Sequence, residues 1–119
     1  MRIYGIYQAD GGIVGELAYA YGKIRGTARC QLCDITHNLA WKKAEWKKMV
    51  ERLETPIETI HLNERSREMR AFTEGKTPCV LVEEDGAFRM LIDAEGLEAC
   101  DGDVMEFKNK LLAALEVPN

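Results

Sequence analysis

The spacing of apolar positions changes along the chain, and each change predicts a secondary-structure element. Residues 2–8, RIYGIYQ, alternate in polarity and are rich in Ile and Tyr, which predicts a first strand. The sequence ADGG then breaks the strand, and apolar residues at three- and four-residue spacing over 13–24 predict a helix. A second helix is predicted to start between Asp34 and Asn38 and to run to about Leu53, just before the ETP segment.

Three further strands and two further helices are predicted in the second half. The strands are expected at 57–62, 79–82 and 88–92, and a short helix is expected between Glu64 and Phe72. The last two strands are joined by EEDGA, whose Asp-Gly pair is typical of a tight hairpin turn. The final helix is expected to bury one apolar side, which comprises Val104, Phe107, Leu111, Leu112 and Leu115.

The order of these elements is β, α, α, β, α, β, β, α. Strands that alternate with helices favour parallel pairing with right-handed crossovers, while the final hairpin makes the last pair antiparallel. The sequence therefore predicts an α/β fold: a four-stranded mixed sheet flanked by helices on both faces, with an extra helix in the first crossover. The length of 119 residues fits one domain over 1–119.

Composition and charge narrow the class of protein. Apolar residues make up 46% of the chain and charged residues 30%, as in an ordinary globular protein. No apolar run approaches the roughly 20 residues that span a bilayer, and the first residues do not form a signal peptide. We therefore expect a cytoplasmic protein without a membrane partner. The net charge of −4 argues against a nucleic-acid partner, although residues 23–52 carry eight Lys and Arg against three Asp and Glu.

That basic segment contains the main candidate chemistry, the sequence RCQLCDITH at 29–37. Two cysteines at this spacing can close a small disulfide loop, and a helix N-terminus next to Arg29 stabilises a thiolate. In this interpretation Cys30 is the attacking sulfur and Cys33 is the resolving one. Asp34 opposes the effect, because a nearby carboxylate disfavours the thiolate.

The same segment also fits a metal site. Cys30, Cys33 and His37 form the pattern C-x-x-C-x-x-x-H, and zinc prefers sulfur and imidazole ligands in a tetrahedron. A structural zinc site needs a fourth ligand, which no diagnostic spacing identifies. The candidates for it are Asp34, His61, Cys79, Cys100 and a residue of a second chain. A third interpretation is purely structural: buried cysteines behave as small apolar side chains, and His61 and Cys79 are expected in the core.

The element order resembles the thioredoxin-like fold, most clearly in KTPCVLVEEDGAFRMLI. In that family a proline with a cis peptide bond opens a strand beside the active cysteines. The resemblance implies that Pro78, with Thr77 before it, belongs to the site. One departure is plain: thioredoxins carry their cysteine pair directly after the first strand, where this chain has ADGGIVGEL. Cys30 and Cys33 come later, and could fold back to the proline or lie at the opposite end of the sheet.

These observations predict a small thioredoxin-like protein with a thiol pair, acting in thiol–disulfide exchange with a protein partner or in redox sensing. No cofactor is expected in that case. The alternative is a module without catalytic activity whose CQLCDITH segment binds zinc or another protein. The residues leave open whether the chain is an enzyme, and they do not identify its substrate or oligomeric state.

Overall fold

The computed structural model describes residues 1–8, 31–38 and 41–116. Its main feature is a four-stranded mixed sheet with the strand order β4-β1-β5-β6. These strands are β1 (Arg2–Ile6), β4 (Ile57–Ile60), β5 (Cys79–Glu84) and β6 (Ala87–Ile92). The central strand β1 pairs in parallel with β4 and antiparallel with β5, and β5 pairs antiparallel with β6. The predicted α/β class and the mixed four-stranded sheet are therefore confirmed.

Five helices are described around this sheet, together with a small hairpin and one 3-10 turn. The helices are α1 (Gln31–Thr36), α2 (Ala44–Arg52), α3 (Arg67–Thr73), α4 (Ala94–Ala99) and α5 (Val104–Glu116). The hairpin pairs β2 (His37–Asn38) with β3 (Trp41–Lys42), and the 3-10 turn covers Leu62–Glu64. No helix in the described part of the chain is long and apolar enough to span a membrane.

The alternation of side chains along β1 divides the core between the two faces of the sheet. Ile3 and Tyr7 belong to a larger cluster, to which four helices contribute through Leu32, Ile35, Trp46, Met49, Leu97, Phe107 and Leu111. Tyr4 and Ile6 belong to a smaller cluster on the opposite face, where α3 contributes Met69. Because α1 lies on the larger face with α2, α4 and α5, the helix that carries Cys33 packs against the central strand.

The predicted second helix, from about Asp34 to Leu53, is wrong as a single element. The chain forms α1, leaves the helix at Thr36 for the hairpin of β2 and β3, and becomes helical again only at Ala44. The break is closed by a hydrogen bond from the backbone N–H of Lys43 to the carbonyl oxygen of Thr36, at 2.8 Å. The apolar stripe of the predicted helix survives in α2, where Trp46 and Met49 are buried.

The second half follows the prediction more closely. The Asp-Gly turn between β5 and β6 is confirmed, and Asp85 and Gly86 have φ angles of 53° and 80°. Those angles are the left-handed values that a two-residue hairpin turn requires. Residues 94–99, where the apolar pattern predicted no separate helix, form α4. In α5, Leu112 is 40% exposed, which corrects its predicted burial. The helix predicted over 13–24 lies outside the described residues.

Candidate functional site

The sheet has one end at which β1 and β4 stop and β5 starts, and we call it the Tyr7 end. It consists of Tyr7 and Gln8 after β1, His61 after β4, and Thr77 and Pro78 before β5. Ile6 pairs with Cys79, so the antiparallel register brings Tyr7 opposite Pro78 and Gln8 opposite Thr77. The hydroxyl of Thr77 donates a hydrogen bond to the side-chain carbonyl of Gln8. This bond joins the segment after β1 to the segment before β5, beyond the last paired residues of the two strands.

The Thr77–Pro78 peptide bond is cis, as the resemblance to thioredoxins implied. Pro78 is buried, and Thr77 is half-buried beside it. Proline is the residue for which a cis bond costs little relative to trans. These two sequence-predicted residues therefore lie together at the Tyr7 end, directly before the buried start of β5.

Helix α1 runs alongside β1 in the same direction and points toward the Tyr7 end. Near its start, Leu32 lies against Gly5: a Cβ atom added to Gly5 would be 3.2 Å from Cδ2 of Leu32. At its last residue, the Thr36 hydroxyl forms a hydrogen bond of 3.1 Å with the Tyr7 hydroxyl. Four helical residues rise about 6 Å and two strand residues about 6.6 Å, so the two contacts describe one parallel alignment.

The alignment of α1 with β1 determines where the backbone of Cys33 lies. Cys33 is a residue of α1, three positions before Thr36, which puts its backbone roughly one helical turn, about 4.5 Å, back from the Tyr7 end. His37 follows α1 directly and pairs with Lys42 in the small hairpin. Cys30 lies outside the described residues. In thioredoxins the cysteines come directly after the first strand, whereas Cys33 lies on a later helix that packs beside that strand. The arrangement in this chain therefore differs from that of thioredoxins.

Tyr7 connects the elements that meet at this end. Its backbone N–H donates to the carbonyl oxygen of Ile60 at 2.9 Å, which continues the pairing of β1 with β4. Its ring lies 5.2 Å from the imidazole ring of His61, at a tilt of 49°. Its hydroxyl bonds to Thr36, and both residues are buried. Tyr7 therefore contacts α1 and β4 and lies opposite the proline.

His61 and Glu64 form a second polar feature at the Tyr7 end. One carboxylate oxygen of Glu64 accepts hydrogen bonds from the backbone N–H of His61 at 2.7 Å and from its ring Nδ1 at 2.6 Å. These two bonds, the backbone one first, lower the pKa of Glu64 below its ordinary value. His61 was predicted inside a strand and in the core. It instead begins the 3-10 turn Leu62–Glu64, and a quarter of its side chain is exposed.

The other two cysteines are buried thiols. Burial raises the pKa of Cys79 to about 11, although the charges of Arg65 and Lys76 act in the opposite direction. Burial also raises the pKa of Cys100, whose Sγ donates to the carbonyl oxygen of Gly96 at 3.4 Å. Both thiols therefore stay protonated near neutral pH and are poor nucleophiles. The expectation that Cys79 belongs to the core is confirmed.

Tyr7 and the His61–Glu64 pair were not identified from the sequence. The H-x-x-E spacing at 61–64 is that of a capping box, in which a carboxylate reaches back to the residue before the turn, and it could have revealed the pair. The bond between Tyr7 and Thr36 joins residues 29 positions apart and has no local signal.

Among the side chains that the structure describes, which do not include those of Cys33, Asp34 and His37, no three of His, Cys, Asp or Glu converge as metal ligands. Comparisons with known proteins add no relative: no family model, no curated protein and no solved structure matches the chain.

Proposed function

We propose that this chain is a small thioredoxin-like protein in which Cys30 and Cys33 undergo reversible thiol–disulfide exchange. One observation carries the proposal: the helix that holds Cys33 packs along the central strand of a β4-β1-β5-β6 sheet and points toward the Thr77–Pro78 segment. That strand order and pairing are compatible with the thioredoxin-like fold. The burial of Cys79 and Cys100 leaves Cys30 and Cys33 as the thiols assigned to this chemistry.

The proposed reaction exchanges one disulfide for another. The Cys30 thiolate attacks one sulfur of a partner disulfide, so a Cys30–partner bond forms and the second partner sulfur leaves as a thiolate. The Cys33 thiolate then attacks the Cys30 sulfur and releases the first partner sulfur. The partner gains two electrons and becomes a dithiol, while Cys30 and Cys33 end as a disulfide. A second dithiol, acting as reductant, restores the starting state by the reverse exchange.

In this proposal the Tyr7 end binds the partner segment that carries the disulfide. Thr77 and Pro78 supply part of its surface, and Gln8 stands opposite Thr77. A redox sensor would use the same exchange, with a conformational or binding change as its output. Enzyme and sensor differ in turnover, because only the enzyme processes many partner molecules for each site.

Redox titration followed by peptide mapping tests this function. The protein is equilibrated in glutathione buffers of increasing oxidised fraction, quenched with acid, alkylated and digested. We expect Cys30 and Cys33 to lose two hydrogens together in one transition, while Cys79 and Cys100 stay alkylatable after unfolding. The matched control Cys33→Ser should instead accumulate a mixed disulfide of Cys30 with glutathione. A Cys30–Cys33 pair that stays reduced in the most oxidising buffer would contradict the proposal.

A second proposal, zinc binding by Cys30, Cys33 and His37, is favoured by the turn that follows α1. The helix that carries Cys33 stops at Thr36, and the β2–β3 hairpin fixes the backbone of His37 immediately after it. Zinc would be held by two thiolates and an imidazole, with a fourth ligand from elsewhere.

Metal analysis of protein purified without chelators separates this proposal from the first. A zinc module should contain about one zinc per chain and should lose stability when a chelator is added. His37→Ala should then remove the metal. If the protein is metal-free as purified and does not take up added zinc, the zinc proposal is wrong; loss of zinc with His37→Ala would support it.

A further inference from the structure

We infer that Tyr7 is a positioning residue for the disulfide between Cys30 and Cys33, an inference that rests on the proposed thiol chemistry. Tyr7 acts through Thr36, the last residue of the helix that carries Cys33. The link lies inside the protein, since Tyr7 is 3% exposed and Thr36 is fully buried.

The Tyr7 side is rigidly held. The backbone N–H of Tyr7 is bonded to Ile60 at the end of β4, and its ring packs on His61. Glu64 in turn holds His61 through both its backbone N–H and its ring nitrogen. The Tyr7 hydroxyl therefore projects from an anchored position at the end of the sheet, and its bond to Thr36 ties α1 to that position.

The other two described side chains of α1, Leu32 and Ile35, make contacts without this directionality. Both are fully buried and apolar, and the hydrophobic effect that holds them in the core is non-directional. A hydrogen bond weakens steeply when its length or angle departs from the optimum. The bond between Tyr7 and Thr36 therefore fixes the rotation of α1 and its position along β1, and with them the backbone of Cys33 one turn earlier.

Fixing Cys33 favours closure of the disulfide. A disulfide requires the two Cα atoms to lie about 5.5 Å apart with a restricted torsion about the S–S bond. When the backbone of one cysteine is held in a position from which the bond can close, fewer arrangements separate the two sulfurs, and their effective concentration rises. We therefore expect Tyr7 to shift the dithiol–disulfide equilibrium toward the disulfide.

The test measures the equilibrium constant for exchange with glutathione, in which the protein dithiol and one oxidised glutathione give the protein disulfide and two reduced glutathione molecules. Tyr7→Phe removes only the hydroxyl and should lower this constant by up to about tenfold, because the free energy of one net hydrogen bond is the upper limit of the difference between the two redox states. Thr36→Val should lower it in the same way, and the double variant should fall no further than either single variant. Thr36→Ser keeps the hydroxyl and should restore most of the wild-type value.

Tyr4→Phe is the matched control, because Tyr4 is also a buried tyrosine of β1. Its hydroxyl accepts a hydrogen bond from Arg2 at 3.3 Å on the opposite face of the sheet. This variant should leave the exchange constant unchanged. The free energy of unfolding of each variant is measured for the dithiol form and for the disulfide form. A substitution that only weakens the fold lowers both free energies equally and leaves the exchange constant unchanged.

The outcomes separate the inference from the function on which it rests. If wild-type protein forms no Cys30–Cys33 disulfide, the proposed function fails and the inference fails with it. If the disulfide forms, and Tyr7→Phe has the wild-type exchange constant or changes it no more than Tyr4→Phe does, only the role of Tyr7 is overturned. A selective decrease in Tyr7→Phe and Thr36→Val supports the positioning role.

Discussion

Truncation of Leu32 tests whether α1 is anchored on the sheet as described. Leu32 is fully buried, and its Cδ2 atom faces Gly5, a residue with no side chain. Leu-to-Ala changes in a core cost about 2–5 kcal/mol, and the cost is larger where neighbours cannot fill the cavity. Since β1 has only a glycine here, we expect Leu32→Ala to cost about 3–5 kcal/mol in the free energy of unfolding. For a domain of this size the loss corresponds to a decrease of roughly 10–20 °C in Tm.

Urea denaturation of the reduced protein measures this cost, and Leu112→Ala is the matched control. Leu112 is 40% exposed on α5, so the same chemical change should cost about 1 kcal/mol or less there. The apolar spacing predicted that Leu112 is buried, which would make Leu112→Ala costly. The structure predicts a large cost for Leu32→Ala alone. If both variants lose similar stability, the description of α1 as a helix docked through Leu32 is wrong.

Refilling the cavity from the opposite side sharpens this test. Gly5→Ala alone places a Cβ atom 3.2 Å from Leu32 and 3.5 Å from Cγ2 of Thr59, closer to Leu32 than the optimal carbon–carbon separation of about 3.5–4.0 Å. In the Leu32→Ala background the same methyl group enters the space that the Leu32 side chain has left, and its contact with Thr59 stays at an ordinary distance. We expect Gly5→Ala to recover part of the stability that Leu32→Ala loses, with a coupling of about 1 kcal/mol between the two sites.

Three further predictions concern other parts of the structure. Because Cys79 is buried and its pKa is raised to about 11, its thiol stays protonated and shielded up to about pH 10. Alkylation of Cys79, followed by mass spectrometry, should therefore be far slower in folded than in unfolded protein at every pH between about 8 and 10. The lowered pKa of Glu64 stabilises the protein above its ordinary pKa, and this contribution is lost as the pH falls through the folded-state value. Glu64→Gln should therefore lower the free energy of unfolding by under about 1 kcal/mol at pH 7, because the bonds of Glu64 to His61 are solvent-exposed. The loss should become smaller as the pH falls, as measured by denaturation at pH 7 and at acidic pH. Gly86→Ala should cost about 1 kcal/mol, because Gly86 has a φ of 80° beside Asp85 at 53°, and a thermal melt checks it.

Features that depend on residues close together in the sequence were predicted correctly. The turn at Asp85 and Gly86 was predicted because its residue types alone favour positive φ angles. The strand starting at Cys79 and the buried residues Phe107 and Leu111 followed from short apolar patterns. Such features depend on neighbouring residues, so a single sequence contains the information needed to predict them.

Features held by specific hydrogen bonds were missed. The helix predicted to reach Leu53 is interrupted after Thr36, whose side chain bonds to Tyr7 and whose carbonyl oxygen accepts from Lys43. Apolar periodicity does not reveal such bonds. His61 lies outside β4 because it begins the 3-10 turn that Glu64 caps, a polar contact that the β-rich pattern of 57–62 does not reveal. The family resemblance implied the cis bond before Pro78. It did not specify the position of Thr77 and Pro78 opposite the end of β1, and no property of the dipeptide itself specifies a partner strand.

Alkylation of the native protein, with peptide mapping of each cysteine, tests the central claim most directly. The claim is that Cys30 and Cys33 form the reactive pair, while Cys79 and Cys100 serve the core. In fully reduced protein we predict rapid labelling of Cys30 and Cys33 and protection of the other two until the protein unfolds. After treatment with oxidised glutathione, the rapid pair should be recovered as one internal disulfide. Equal labelling of all four thiols, or an internal disulfide that includes Cys79 or Cys100, would contradict the account.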